Sequence, residues 1–460
     1  MWEETVESSL KSKTETFTLV PPSWKKKADP FFILMIGVIG GMIVILAVKF
    51  RIFHLWVELW QNHPFLRRAS YPLMGLAFIL LLGLLFRTVL WFRYKPMSVE
   101  PGEEIDWPFI SVIMPAFNEE ELVESSIDSI FSCHYPPEKL EVICVNDGSA
   151  DSTLLKMRKA KQKYKERLEI IHEKRNSGKR KALYSGFKKS RGEVVITVDT
   201  DSKIDPNALK NLVIPLIKDE HTGAVAGRVE AWNEKENFLT RMLAIRYSIS
   251  FNFGRAYQSV YGAVFCCPGS LTAYRKNVLS RFIHEWVEQE FMNAPCTYGE
   301  DRALTTQMLK RGYMTRFQSN AVVYTRVPSR FKEMNRMYLR WTRSYLRESV
   351  LFAKFMFSRY RKKHRILPIF DFFFLNFLHP FHLYSIGLVV YSFFLHPLFI
   401  LPHVAFFVVL SFLISLYYIR TKRSLAFLYG IPYALITAFC LWWIVPFSAL
   451  TMRNQSWLTR

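Results

Sequence analysis

The chain has little of what marks secreted, zinc-bound or nucleic-acid-reading proteins. Its 460 residues include six cysteines, at 133, 144, 266, 267, 296 and 440. No C-x-x-C occurs and no Cys/His cluster has zinc spacing, which excludes the common structural zinc modules. The six read as reduced thiols, mostly core residues on the cytosolic side. Acid is scarce as well: 39 Asp and Glu stand against 61 Lys and Arg, a formal charge of +22. Such a surplus suits nucleic acid, an anionic membrane surface or anionic substrates. No paired zinc ligands, basic zipper or aromatic RNA-binding motif is present, so nucleic acid is set aside as a partner. No G-x-G-x-x-G follows the first strand-like run, and Asn176–Lys181 (NSGKRK) lacks the upstream glycine of a P-loop. The N-terminus does not read as a cleavable signal peptide, because about 30 mostly polar residues precede the first apolar run.

Apolar residues, by contrast, are abundant. Half the chain is hydrophobic and Phe alone contributes 39 residues, which points to a lipid bilayer. Residues 1–30 form a polar, cytosolic tail ending in Lys25, Lys26 and Lys27. Residues 31–95 read as a transmembrane hairpin, with spans at Phe31–Val48 and Pro72–Phe92. Residues 96–345 read as a cytosolic catalytic domain. A basic amphipathic stretch at Ser344–Phe357 that suits the interface leads into residues 346–460, which hold apolar runs near 369–395, 398–419 and 425–447. Much of the positive charge flanks these runs, as expected of cytosolic loops. The setting is therefore a cell (inner or plasma) membrane, crossed several times.

Within 96–345 the period changes. Ile110–Pro115, Leu140–Asp147, Leu168–His172 and Val194–Asp199 are short apolar runs separated by polar or amphipathic stretches of helical length. That alternation predicts an α/β domain with a mainly parallel sheet. Val194–Val198 ends abruptly in Asp199, Thr200 and Asp201. Ligands bind beyond the carboxyl ends of such strands. Two carboxylates there suit Mg²⁺ or Mn²⁺, which usually also holds a phosphate. A plain strand-end turn is the alternative reading.

Four further landmarks surround this one: Pro115-Ala116-Phe117-Asn118-Glu119, Asp147-Gly148-Ser149, Lys179-Arg180 after Gly178, and Tyr298-Gly299-Glu300-Asp301-Arg302. Singly they read as turns, caps or solvated charge. Their order is more informative. P-A-x-N-E, V-N-D-G-S, S-G-K-R, V-D-x-D, Y-G-E-D-R and L-R-W, taken together, resemble the membrane-embedded processive family 2 glycosyltransferases over about residues 110–460. Hyaluronan synthases are closest in appearance. They share the style of Tyr298–Arg302, of Arg340–Ser344 and of the terminal Trp457-Leu458-Thr459-Arg460. Chitin and chitooligosaccharide synthases are favoured instead by the loop Cys266–Tyr274, CCPGSLTAY.

The resemblance implies a GT-A fold that binds UDP-sugars. Asp147 would contact uridine, Lys179 the diphosphate, and Asp201 with Asp199 the metal. Asp301 would be the general base and Trp341 a stacking face for the acceptor sugar. Pro115, Ala116, Asn118, Glu119, Arg180, Cys267, Gly269, Ser270, Glu300, Arg302, Arg340, Trp457, Thr459 and Arg460 would complete the substrate site. The implied function is an inverting, metal-dependent synthase that extends and extrudes a β-linked polysaccharide. Its donor would be UDP-GlcNAc, with UDP-glucuronate joining it in a hyaluronan synthase. The alternatives are a chitooligosaccharide-type N-acetylglucosaminyltransferase, a non-processive transferase to a lipid-linked acceptor, and a binding protein on a retired scaffold. Met337 stands where the family has Gln. If Trp457–Arg460 works at a cytosolic site, one C-terminal run cannot cross. Pro432 and Pro446 make Leu425–Phe447 the candidate for an interfacial or re-entrant segment.

Overall fold

In the computed structural model an apolar 30-residue helix, α1 (Pro64–Arg93), precedes the α/β domain. The described residues are 61–361, 364–395, 397 and 400–454, with 45, 49, 54, 57 and 58 before them. The expected tail 1–30, nearly all of Phe31–Val48, and Trp457–Arg460 lie outside these. Pro64 opens α1, where a missing N–H costs nothing. Phe78, Leu81, Leu82, Leu85 and Val89 along it are exposed, as suits a helix in lipid.

The chain then builds an α/β domain. Its strands are β1 (Ile110–Ala116), β2 (Leu140–Asp147), β3 (Leu168–Glu173), β4 (Val194–Thr197), β5 (Ser202–Ile204), β6 (Thr222–Ala231), β7 (Thr272–Arg275), the short β8 and β9 (Glu290–Phe291, Ala294–Pro295), and β10 (Met314–Thr325). Eight of them form one sheet in the order β3-β2-β1-β4-β7-β6-β10-β5. β1, β2, β3 and β4 are mutually parallel, and so are β6 and β10. β7 runs antiparallel to both β4 and β6, and β5 antiparallel to β10. The sheet is therefore mixed, more so than the sequence alternation alone predicts.

β1 and β2 are buried along their whole length, which explains runs without polar alternation. The helices covering the first strands are α2 (Val123–Phe131), α3 (Thr153–Tyr164) and α4 (Lys179–Lys189). Further along come α5 (Ala208–Lys218), α6 (Phe238–Ile249), α7 (Ala256–Val260) and α8 (Glu300–Lys310). Asn237 caps α6 through a reciprocal capping box with Thr240.

A 25-residue amphipathic helix, α9 (Phe331–Phe355), runs on through residue 345, where the sequence places the domain's end. It is followed by α10 (Ile366–Leu395), α11 (Ile400–Lys422), α12 (Gly430–Cys440) and α13 (Ile444–Leu450). Among the described residues, α1 and α10 are long and apolar enough to cross a membrane. The run expected to be interfacial or re-entrant is broken. Leu425–Cys440 and Ile444–Leu450 pass the same test only as a pair, bent by 48°. A second apolar cluster joins Met242 and Leu243 of α6, Met334 and Met337 of α9, and Leu441 and Ile444. Met337 is thus a core side chain, and its sulfur accepts from the Tyr247 hydroxyl at 3.9 Å.

Candidate active site

β1 lies between β2 and β4, and the chain proceeds from it first one way and then the other. This is a topological switch point, where open α/β sheets form ligand crevices. The carboxyl ends of the three strands carry Ala116, Asp147 and, just beyond β4, Asp199. The first two loops interlock. Asn118, in the left-handed region at φ 54°, accepts from Ala150 N at 3.0 Å and donates its own N–H to Ser149 Oγ at 3.0 Å. Glu119 N donates to Thr153 Oγ1 at 2.7 Å. Pro115 O accepts from the Thr200 hydroxyl at 3.4 Å.

Asp147 braces the next loop. Its carboxylate accepts from Ser177 N at 2.8 Å, Ser177 Oγ at 3.1 Å and Gly178 N at 2.9 Å. Gly178 has φ 90° and precedes α4 directly, so Asp147 sets where that helix begins. Lys179, the first residue of α4, places Nζ 2.6 Å from Asp199 Oδ1 and 3.1 Å from Glu300 Oε1. Gly269 lies against this group. A Cβ there would sit 3.0 Å from Lys179 Nζ and 3.7 Å from Asp199 Oδ1.

The environments split these groups. Burial disfavours the Lys179 ammonium, yet Asp199 and Glu300 raise its affinity for the proton above the ordinary value. Burial also opposes ionisation of Glu300, but Lys179, then Arg340, hold its carboxyl below the usual range. Asp201 is pushed up to about 6 by burial and by neighbouring Asp199. It accepts weakly from Ser202 Oγ at 3.3 Å and Thr325 Oγ1 at 3.4 Å. Among the described residues no three acidic, His or Cys groups cluster as a complete metal cage. Asp199 and Asp201 still fit a hard dication, because two carboxylates that repel one another are relieved by it, and a diphosphate can complete the shell.

Across the crevice, Gly299 takes the left-handed conformation (φ 72°) before α8. Any Cβ there would collide with Ser344 Oγ of α9, so the Tyr-Gly-Glu-Asp turn needs glycine. Asp301 is raised above the usual carboxylate range by burial, then by Glu300. Its Oδ1 accepts from Arg302 N at 2.7 Å, and Cys266 Sγ lies 3.9 Å from its Oδ2. The Arg302 guanidinium lies 5.3 Å over the Tyr345 ring. Trp341 is 38 % exposed and stands 5.9 Å from the Tyr247 ring, whose hydroxyl is raised by burial and then by Asp201.

Some expected residues face elsewhere. Arg180 turns from Lys179 into the core, donating to Trp286 O at 2.5 Å and Gln289 Oε1 at 2.9 Å. Of the paired cysteines it is Cys266 whose thiol meets Asp301. Cys267 is buried in the core, its N–H on Thr305 Oγ1 at 3.0 Å, and Ser270 is buried beside the loop. Trp457, Thr459 and Arg460 lie outside the described residues, but the chain just before them reaches the site. Tyr298 donates its hydroxyl to Asn454 O at 2.8 Å, and Arg343 donates to Thr451 Oγ1 at 3.0 and 3.1 Å.

The site thus sets one cation between two carboxylates at the switch point, with a further acid on α8 beside them. Residues 111–282 match the family described as Glycosyl transferase family 2, so the chain carries a domain of that family. It is 36% identical over 256 residues to an N-acetylglucosaminyltransferase of Rhizobium meliloti (strain 1021), covering 55% of this chain and 60% of the relative. An N-acetylglucosaminyltransferase of Mesorhizobium japonicum is 35% identical over 257 residues, 56% of this chain and 60% of that protein. A hyaluronan synthase of Streptococcus pyogenes is 32% identical over 288 residues, 61% of this chain and 66% of that protein. The alignments thus span about three fifths of these relatives' length. The mannosyltransferase PcManGT from Pyrobaculum calidifontis, solved in complex with GDP-Man and Mn2+, shares the fold. Its TM-score is 0.55 at 21% identity, over 82% of this chain and 99% of that one.

The raised Asp201 carboxyl, near 6, carries a pH consequence. Protons compete with a cation for it, so cation affinity falls as pH drops through that value. Lowering pH from 7 to 5 is expected to raise the half-saturating Mn²⁺ concentration about tenfold. Titration of Mn²⁺ binding by calorimetry in the presence of UDP checks this, and a flat profile removes Asp201 as a ligand.

Proposed function

We propose that the chain is an inverting, membrane-associated transferase that moves N-acetylglucosamine from UDP-GlcNAc onto a growing β-linked glycan. The observation that carries this is Asp301: a half-buried carboxylate with raised basicity, beside but not joined to the Lys179–Asp199–Glu300 group. In this reading the diphosphate lies near Lys179, and Asp199 and Asp201 hold Mg²⁺ or Mn²⁺. When bound, that ion supplies charge neutralisation for the departing UDP. Asp301 takes the proton from the acceptor hydroxyl as its oxygen attacks the anomeric carbon. The carbon–phosphate-oxygen bond breaks, UDP leaves with the bonding pair, and the α-linked donor becomes a β-linked product. Ionised Glu300 keeps Asp301 more basic than a free aspartate, which suits a general base. Trp341, half open to the crevice, offers the acceptor an apolar face.

The relatives named N-acetylglucosaminyltransferase support N-acetylglucosamine as the sugar transferred. A hyaluronan-type product would add glucuronate in alternation. The S. pyogenes relative and the W-x-T-R form of the terminus support that second reading. In both, α1, α10 and the bent segment seat the domain on a bilayer, with the catalytic face cytosolic.

Asp301→Asn is expected to lower kcat by about 10²–10⁴-fold, because the amide keeps its shape but takes no proton. UDP affinity should change less than about twofold, and near-normal turnover would remove Asp301 from the mechanism. Membranes given labelled UDP-GlcNAc alone should build β-linked N-acetylglucosamine oligomers. A requirement for added UDP-glucuronate selects the hyaluronan reading, and no incorporation under either condition overturns both. Truncation before Trp457 is expected to cut turnover at least about tenfold, a loss of about 1.4 kcal/mol in transition-state binding. The Tyr298–Asn454 contact motivates this. Full turnover by the truncated protein would make those residues a tail.

A further inference from the structure

Asp371, six residues into α10, is 2 % exposed and accepts from groups on three separate elements. Arg87 of α1 donates Nε at 2.8 Å. Tyr257 Oη lies at 3.2 and 3.3 Å from its two oxygens, Gln258 Nε2 at 3.2 Å and Tyr261 Oη at 2.8 Å. Tyr257 and Gln258 belong to α7 of the catalytic domain, and Tyr261 follows it. Two apolar helices need no ion pair to adhere, and burying one carries a desolvation cost. The number of domain-side donors indicates a different task.

The path from Asp371 leads to the reacting groups in two directions. Gln258 fixes the segment after α7, accepting from Ala263 N at 3.1 Å through its carbonyl and from Phe265 N at 3.4 Å through Oε1. The next residue is Cys266, against Asp301, and Gly269 follows, against Lys179. On the other side, Asn376 of α10 accepts from Tyr345 Oη at 3.0 Å. The Tyr345 ring lies under Arg302, next to Asp301. One helix therefore grips the surroundings of Asp301 from both flanks.

We propose that Asp371 is a positioning residue for transfer. By anchoring Tyr257, Gln258 and Tyr261 to α10, it holds the Cys266–Ser270 loop, and so the acceptor, in register with Asp301. It touches neither substrate. The proposal rests on the reading that this site transfers a sugar, and its test has an arm that does not.

The test is the full-length Tyr257→Phe/Tyr261→Phe protein in detergent, which keeps both rings and removes two hydroxyls from Asp371. Amide exchange over residues 262–268 should accelerate at least about tenfold while the melting temperature stays within about two degrees. With UDP-GlcNAc, kcat should fall at least about fivefold and the donor KM stay within about twofold, since the acceptor rather than the donor loses alignment. Unchanged exchange overturns the proposal. So does faster exchange with unchanged kcat, or a donor KM that rises in step with the loss. Should the double variant fail to fold, Tyr261→Phe alone carries the same measurements. Wild-type protein inactive on every nucleotide sugar sinks the transfer reading, while the exchange arm still decides whether Asp371 holds the loop.

Discussion

The Lys179 ammonium, set between Asp199 and Glu300, is the contact on which the site depends. The three residues come from the start of α4, the end of β4 and the start of α8, brought together only by the finished fold. A half-buried ammonium without anions would lose its proton or its position. Asp147 fixes the loop that starts α4, and Gly269 lets the Cys266–Ser270 loop pass within contact of the amine. The triad therefore reports that sheet, helix and loop are all in place. A diphosphate arriving here would offer Lys179 a replacement anion and leave Asp199 available to a dication. The local charge would then be rearranged rather than increased.

Four carboxylates within this crevice illustrate how environment assigns roles. Glu300 is buried yet held ionised by Lys179 and Arg340. Asp301, its neighbour in sequence, is pushed the other way by burial and by Glu300 itself. Asp201 rises because it is buried and because Asp199 stands beside it. Two acids adjacent in the chain are thus pushed apart in basicity by their surroundings alone.

The parts legible in the sequence are those whose environment is set locally. Val194–Val198 reads as a doubly buried strand because it is mostly β-branched with no polar alternation, and the acids that follow it fall beyond the carboxyl end of a strand inside the sheet. β6 is less legible. Thr222–Ala231 contains Arg228 and Glu230, yet it is buried throughout, because Glu230 is paired with Arg228 at 3.3 Å and with Lys422 of α11 at 2.7 Å. No local pattern announces a partner so far along the chain. Adjacent residues mislead for a related reason. A helical step turns Arg180 away from Lys179 toward Trp286, and one residue separates Cys266 in the crevice from Cys267 in the core. A motif names such a pair, but the backbone chooses which member faces the chemistry. Asp371 sits inside an apolar run where its four donors, from as far as Arg87, leave no trace in the sequence.

The two halves of the crevice are supported differently. Asp147, Asp199 and Asp201 hang from the ends of β2 and β4, strands locked in register by parallel neighbours. The half around Asp301 hangs instead on attachments to the helices after the domain. Gly299 packs under Ser344, Tyr298 holds Asn454, Tyr345 holds Asn376, and the Cys266 loop is tied through Gln258 to Asp371. A sheet is stiff, whereas a packed helix can slide or turn as a body against its neighbours. The half around Asp147 and Asp199 is therefore held by the sheet, while the half around Asp301 follows the position of α9 and α10.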